Sequence, residues 1–163
     1  NGIITEFLSL AKNKALKLEP QNLNTIITVM APLINSHATM SNKYLKLDLQ
    51  PIPDLLLAAH AIRQLIFNLV NNALEAMLPD NSITIKTFME KNQVVLAISD
   101  TGKGIPLEII EKLGIPFFTT KDDGTVLGLA ICYNIAERHK ATVDVSTSPN
   151  GTTFFIRFNQ QSS

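Results

Sequence analysis

A stripe of amide side chains on one predicted helix is the first place where the residue types suggest chemistry. On a helix over residues 64–77, Gln64, Asn68, Asn72 and Glu75 share one narrow face, and apolar residues cover the rest. A helix that is apolar nearly all round should be buried, so its amides must pair inside the fold or face a ligand. Neutral amides can ligate a metal ion, or accept and donate hydrogen bonds around a nucleotide. The alternative is the thin solvent face of an ordinary amphipathic helix.

A second candidate is Asp100, which ends a predicted buried strand and precedes Gly102 and Gly104. Glycines let the backbone pass close to a ligand, and a carboxylate accepts a hydrogen bond from the exocyclic amine of adenine. The glycines do not form a dinucleotide-binding fingerprint, because the third glycine is missing. Asp before Gly is also ordinary turn composition, so a nucleotide site and a simple turn both remain open for this segment alone.

A third group could bind phosphate and a metal ion. Lys121 supplies a cation, Gly124 and Gly128 supply glycine-rich backbone, and a helix predicted from Leu127 adds the positive end of its dipole. The arrangement is not a Walker loop, since no G-x-x-x-x-G-K-[ST] pattern occurs in the chain. Asn72 is the best-placed side-chain oxygen for Mg²⁺, which prefers hard oxygen ligands and accepts phosphate and water as the others.

Composition indicates one ordinary globular domain with a short appendage. The chain has 163 residues, 45% of them hydrophobic, with 14 basic and 14 acidic side chains. Because the charges cancel, we expect no general attraction to nucleic acid or to an anionic membrane, and any phosphate site must be local. The single Cys132 excludes an internal disulfide and fits a buried, inert thiol in a reducing cytoplasm. No stretch approaches the length of a membrane span.

The order of the elements indicates the fold class. Strands cluster with helices between them, so we expect an α/β two-layer sandwich, with a mixed sheet packed against about three helices and an N-terminal helical extension. The predicted helices are residues 2–17, a segment capped by Asn22 or Asn24 with Pro32 as a kink, a central helix from near Leu56, a short helix after Pro106, and Leu127–His139. The predicted strands are Tyr44–Leu49, Ser82–Met89, Val94–Ser99, Thr142–Ser146 and Thr152–Phe158.

The domain boundary falls close to the N-terminus. Residues 2–17 form a helical pattern with one apolar face, and Leu18, Glu19 and Pro20 separate it from the rest. We therefore divide the chain into residues 1–18, the trailing end of a helical element, and residues 19–163, the main domain.

Taken together and in order, these segments resemble a known family. NLVNNA (68–73), DTGKGIP (100–106), PFFTTK (116–121) and GTVLGLAI (124–131) are similar to the N, G1, F and G2 boxes of two-component sensor histidine kinases, and GTTF (151–154) resembles the family's closing strand. Four ordered boxes are a far more specific signal than any one of them. The segments NALEAM, LGIPFFTTK and PNGTTFFIRF are most similar to the corresponding segments of sporulation-type kinases.

The resemblance implies the catalytic ATP-binding domain of the GHKL superfamily, a mixed sheet layered against three helices with ATP under a mobile lid. It implies transfer of the γ-phosphoryl group of ATP to a histidine on a helical dimerisation domain, and signalling to a response regulator. Residues 1–18 would be the end of that dimerisation domain, and the parent protein would be a homodimer. This domain would lie in the cytoplasm, and another part of the parent could anchor it to the membrane. The resemblance implies that Asn72 would ligate Mg²⁺ and that Asn68 would position phosphate or a water. Adenine would be recognised by Asp100, through a water by Thr152, and by a pocket made of Gly102, Gly104 and Ile105. The phosphates would be contacted by Gly128, Leu129 and Lys121, the last within a lid over residues 117–124 that also contains Phe118 and Thr119.

One position departs from the family pattern. The family usually reads GTGLGL, and this chain has Val126 at the middle glycine. A β-branched residue does not adopt a positive φ cheaply, so we expect Val126 to alter the lid hinge or its approach to phosphate.

The three histidines lack the setting of a phosphoacceptor, which would be an exposed helix position beside an acidic residue. We interpret His37, His60 and His139 as surface or capping residues. Two other functions stay open: a GHKL ATPase of the gyrase, mismatch-repair or chaperone type, and a nucleotide-sensing interaction module with weak catalysis.

Overall fold

The computed structural model describes residues 17–77, 79–101, 123–148 and 151–159. Residues 2–16 of the first predicted helix and the short helix after Pro106 lie outside these ranges. The described elements are, in chain order, β1 (Glu19–Gln21), α1 (Leu23–Thr39), β2 (Tyr44–Leu49), β3 (Leu55–Leu57), α2 (Ala59–Ala76), β4 (Ser82–Glu90), β5 (Gln93–Asp100), α3 (Asp123–Arg138), β6 (Thr142–Ser148) and β7 (Gly151–Asn159).

A mixed five-stranded sheet forms one layer of the fold. Its strand order is β2-β4-β5-β7-β6, with β2 and β4 parallel and the other neighbours antiparallel. The inward residues of the strands and the apolar faces of all three described helices form one continuous core. The predicted α/β two-layer sandwich with a mixed sheet is therefore confirmed.

The alternation of buried residues explains why β7 is a strand. Thr152, Phe154, Ile156 and Phe158 are buried, and the residues between them are only partly buried, which is the period of two that a strand with one core-facing side requires. Helix α1 begins where the sequence places a cap: the Asn22 side chain accepts a hydrogen bond from the backbone N–H of Asn24 at 2.9 Å.

Two predicted boundaries are wrong. The central helix was expected from near Leu56, but Leu55–Leu57 form strand β3, which pairs antiparallel with Glu19–Gln21, and α2 starts at Ala59. Leu55 and Leu57 are buried and Leu56 is more exposed, so the segment follows the strand period. The last helix begins at Asp123 rather than Leu127.

Long-range polar contacts hold both ends of α2. At its N-terminal end the backbone N–H of Ala58 donates to Nε2 of His139 at 3.0 Å, and Nδ1 of the same ring faces the Ile135 carbonyl at 2.8 Å. At the other end the Lys43 ammonium donates to the Leu74 carbonyl. His139 is only 7% exposed, so the expectation of a surface residue is wrong, although the ring does cap a helix, that of α2.

This contact predicts a pH-dependent stability. Burial lowers the pKa of His139, and the hydrogen bond to Ile135 opposes that shift only partly. Below about pH 6.5 the unfolded chain therefore binds more protons than the folded one, and the free energy of unfolding falls as the pH falls. His139→Leu should cost about 1 to 3 kcal/mol at pH 7.5, because the Ala58 N–H loses its acceptor, and should flatten this slope. Urea unfolding at pH 5.5 to 7.5 measures both effects.

The exposed His60 provides the matched control, since it lies on α2, the helix that the His139 ring caps. His60→Leu leaves the hydrogen bond between Ala58 and His139 in place and should leave the free energy of unfolding at pH 7.5 nearly unchanged. An unaltered slope in His139→Leu would assign the pH dependence to other groups.

Candidate nucleotide-binding site

The amide stripe of α2 lies partly buried at the edge of the core. Gln64, Asn68 and Asn72 are half-buried, as is Asn71, which was not part of the predicted stripe, whereas Glu75 is exposed. The apolar remainder of the helix packs into the core, as the sequence predicts. Among the described residues no hydrogen-bond partner reaches Gln64 Nε2, Asn71 Oδ1 or Asn72 Nδ2, although these atoms are buried. A buried polar atom without a partner costs about 1 to 3 kcal/mol. These amides are therefore available to a ligand or to residues outside the described ranges.

Helix α3 fixes the middle of α2 beside Asn68. The Cys132 thiol is buried, donates to the Leu65 carbonyl at 3.5 Å and is hydrogen-bonded by the Asn68 side chain. Burial raises the pKa of Cys132 far above its usual value, and the hydrogen bond from Asn68 opposes this shift only in part, so the thiol stays protonated. The predicted inert thiol is confirmed, and Cys132 serves as a contact between the two helices.

Asp100 is held at the end of β5 by its neighbour strand β7. Asp100 and Thr152 are register partners, and the Thr152 backbone N–H donates to Asp100 Oδ1 at 3.3 Å. Thr152 is itself buried. The carboxylate therefore has a fixed place at the end of the central strand β5, where its oxygens can accept hydrogen bonds but cannot donate them.

The close approach of the two strands depends on Gly151. A Cβ at this residue would lie 2.2 Å from the carbonyl oxygen of Asp100, and its φ of +149° is one that other L-residues rarely adopt. Sequence reasoning did not include Gly151 among the site residues, although the turn composition of Pro149-Asn150-Gly151 was a usable signal.

The C-terminal end of α2 lies against the same strand end. The Thr101 hydroxyl donates to the Met77 sulfur at 3.9 Å, directly after Asp100. Asn72 precedes Met77 by five residues, about 7.5 Å along a helix. The fold thus brings the C-terminal half of the amide stripe and the Asp100 carboxylate to the same end of the molecule.

The other predicted site residues are less well placed or lie outside the description. Leu129 has a side chain 1% exposed and packed in the core, so only its backbone could contact a ligand. Gly128 falls inside α3 rather than near its start, because the helix begins at Asp123. Val126 is also helical, a conformation that a β-branched residue adopts at small cost, so a positive φ is not required of it here. Gly102, Gly104, Ile105, Phe118, Thr119 and Lys121 lie outside the described residues.

The donor set is compatible with Mg²⁺ only if a ligand contributes oxygens. Within residues 17–77, 79–101, 123–148 and 151–159, no group of three His, Cys, Asp or Glu side chains is arranged to hold a metal. Mg²⁺ accepts one protein oxygen together with phosphate oxygens and waters, which an amide oxygen such as that of Asn72 fits.

None of the described helices combines the length and hydropathy needed to cross a membrane.

Comparison with known proteins agrees with this geometry. Residues 58–162 match the family of histidine kinase-, DNA gyrase B-, and HSP90-like ATPases. Sporulation kinase E of Bacillus subtilis (strain 168) is 37% identical over 160 residues, which cover 95% of this chain and 21% of that protein. Sensor histidine kinase ZraS of Escherichia coli (strain K12) is 31% identical over 158 residues, 96% of this chain and 34% of that protein. The chain thus spans between a fifth and a third of the length of these relatives.

Among solved structures, the catalytic domain of the histidine kinase ThkA superimposes with a TM-score of 0.79 at 28% identity, covering 89% of this chain and 97% of that domain. The family match over residues 58–162 contains the amide stripe, Asp100 and Thr152. The chain belongs to the family of histidine kinase-, DNA gyrase B- and HSP90-like ATPases, as a catalytic domain of the histidine kinase type.

Proposed function

We propose that this domain binds ATP with Mg²⁺ and transfers the γ-phosphoryl group to a histidine on a separate helical domain of its parent protein. The observation that carries the proposal is that a held carboxylate, Asp100, lies toward the same end of the molecule as the Asn72 amide nitrogen, which has no partner among the described residues. A carboxylate suits the amine edge of adenine, and an amide suits the polyphosphate end.

We propose the residue roles as follows. Asp100 accepts the hydrogen bond of the adenine amine, and Thr152 adds a water-bridged contact to the base. Asn68 positions phosphate or a water, and Asn72 supplies an oxygen to Mg²⁺. Bound Mg²⁺ would neutralise phosphate charge, and the chain's own contribution is to hold adenine and phosphates in fixed positions. The proposed remainder of the site is Gly102, Gly104 and Ile105 around adenine, a lid over residues 117–124 with Phe118, Thr119 and Lys121, and Gly128 and Leu129 toward the phosphates.

The phosphoacceptor is proposed to lie outside this chain. His139 has both ring nitrogens engaged in hydrogen bonds inside the fold, so neither is free to attack phosphorus. His37 and His60 are exposed but have no acidic residue beside them in the sequence. Transfer breaks the bond between the γ-phosphorus and its bridging oxygen, forms a phosphorus–nitrogen bond to the incoming imidazole, and releases ADP.

We further propose the setting of the domain. Residues 1–18 would be the end of the dimerisation and phosphoacceptor helix of a homodimeric parent, and residues 19–163 the catalytic domain. The phosphoryl group would pass on to a response regulator; ThkA has been solved in complex with the response regulator protein TrrA, which supports such a partner. Since ATP and response regulators are cytoplasmic, we place the domain there, and a membrane anchor elsewhere in the parent is compatible with it.

A transfer assay tests the proposal. The 163-residue chain incubated with γ-labelled ATP and Mg²⁺ should acquire no stable label, because positioning an imidazole in line with the γ-phosphate needs a helix supplied by the other domain. Adding that helical domain from the same parent in trans should place acid-labile phosphohistidine on it. Asn72→Ala should slow the transfer by about 10- to 100-fold if its oxygen serves Mg²⁺, with a weaker dependence on Mg²⁺ concentration.

Asn35→Ala is the matched control, because Asn35 is an exposed amide on α1, and it should transfer at the wild-type rate. Label on His37, His60 or His139 of the isolated chain would overturn the assignment of the phosphoacceptor. ATP binding without transfer to the added domain would favour a nucleotide-sensing module. ATP hydrolysis without transfer would favour a clamp ATPase.

A further inference from the structure

Three neighbouring strands place polar side chains in one row beside the proposed adenine site. The register sets Asp100 of β5 opposite Thr152 of β7, and Thr152 opposite Thr147 of β6. The hydroxyl oxygens of Thr147 and Thr152 lie 2.9 Å apart, and the Thr152 N–H donates to the Asp100 carboxylate. Both threonines fall on the core-facing side of the sheet, in phase with Val143, Val145 and Phe154. The row therefore connects β6 to the carboxylate through Thr152.

The hydrogen bond between the hydroxyls limits what Thr152 can offer to a ligand. A threonine hydroxyl has one proton and rotates, so an unrestrained hydroxyl can donate or accept. Either hydroxyl can be the donor of this hydrogen bond, and only with Thr147 as the donor does the Thr152 proton remain for a ligand or a bridging water. Adenine presents an amine donor beside the N1 acceptor, whereas hypoxanthine and guanine present a carbonyl beside an N1–H donor. A carboxylate together with a hydroxyl donor matches only the adenine edge.

We propose, resting on the function proposed above, that Thr147 is a positioning residue that fixes the Thr152 hydroxyl as a donor and so sets the preference for adenine over hypoxanthine and guanine. Thr147 does not touch the base. Its effect passes through the 2.9 Å contact to Thr152, which is buried and adjoins Asp100. The sequence alone does not indicate this role of Thr147, because the role depends on the pairing of β6 with β7.

Selectivity separates this role from a structural one. Affinities for ADP, IDP and GDP are measured by calorimetry for wild type, Thr147→Val, which keeps the shape without the hydroxyl, and Thr147→Ser, which keeps the hydroxyl. We expect Thr147→Val to weaken ADP by about 3- to 10-fold and IDP by much less, so that the ratio of the two affinities falls. Thr147→Ser should retain the wild-type ratio. Ser146→Ala is the matched control, because Ser146 is exposed and points to the opposite face.

A mutant cycle tests the route of the effect. Thr152→Val alone should lower the same ratio, and Thr147→Val combined with Thr152→Val should lower it no further, since both remove one hydrogen bond. An unchanged ratio in Thr147→Val, or equal losses for ADP and IDP, would reduce Thr147 to a structural residue and overturn the inference. Wild-type protein that binds none of the three nucleotides would instead overturn the proposed function, and the inference with it.

Discussion

Asparagine in place of Asp100 is expected to weaken the binding of ADP by about 1 to 3 kcal/mol, or roughly 5- to 150-fold. The carboxylate is an acceptor only, which suits the amine of adenine, and its Oδ1 atom already accepts a hydrogen bond from the Thr152 N–H at 3.3 Å. An amide brings an NH₂ group that must face either that N–H or the amine of the base. One donor is then opposed by another donor.

Calorimetry with ADP measures this effect, and IDP serves as a second probe because its base carries a carbonyl at the same position. Asp100→Asn should lose ADP affinity more than IDP affinity. Asp144→Asn is a matched control in the same sheet, where the carboxylate is exposed and pairs with Arg157 on the opposite face. Unchanged ADP affinity in Asp100→Asn would remove Asp100 from the site.

The sequence predicts α2 and the antiparallel strands well because each carries a local period. The apolar positions of α2 repeat at helical spacing and are buried, and β4 and β5 are predicted to within a residue or two of their observed bounds. Asp100 could be placed for the same reason, since it ends a strand with a clear pattern. Features that depend on one element alone can be read from local spacing.

The features that sequence reasoning missed depend on contacts between distant segments. β1 and β3 have three residues each, too few for a period to be recognised in the sequence, and they become strands only by pairing across 34 residues or more. His139 follows a helix and precedes Lys140, which is typical of a surface position, yet the ring is buried because Ala58 supplies its partner from 81 residues away. Tertiary pairing overrode the local signal in both cases.

For the amides of α2, the sequence pattern and the structural contacts together say more than either does alone. The sequence indicates that Asn72 lies on a buried helix, and the structure adds that its Nδ2 atom has no partner within the described residues. Either observation alone fits a structural amide. Together with the Asp100 carboxylate at the same end of the fold, they favour a ligand that presents an amine at one end and oxygens at the other.

Alanine in place of Gly151 is expected to cause the largest loss, because it affects stability and the site at once. The φ of +149° is strained for any residue with a Cβ, at a cost of about 1 to 3 kcal/mol. In addition the new Cβ would lie 2.2 Å from the Asp100 carbonyl oxygen and 3.1 Å from the Thr101 Cα, both backbone atoms. Since neither neighbour is a flexible side chain, the start of β7 must move away from the end of β5.

That movement would separate the Thr152 N–H from the Asp100 carboxylate, so ADP affinity should fall by at least as much as in Asp100→Asn. The melting temperature should fall as well. Thr153→Ala is the control one residue along, where the side-chain hydroxyl is hydrogen-bonded to the Ser99 hydroxyl on the outer face and the expected losses are small. Calorimetry well below the melting transition separates binding from unfolding. Gly151→Ala with wild-type stability and wild-type ADP affinity would show that the contact between β5 and β7 does not hold the carboxylate in place.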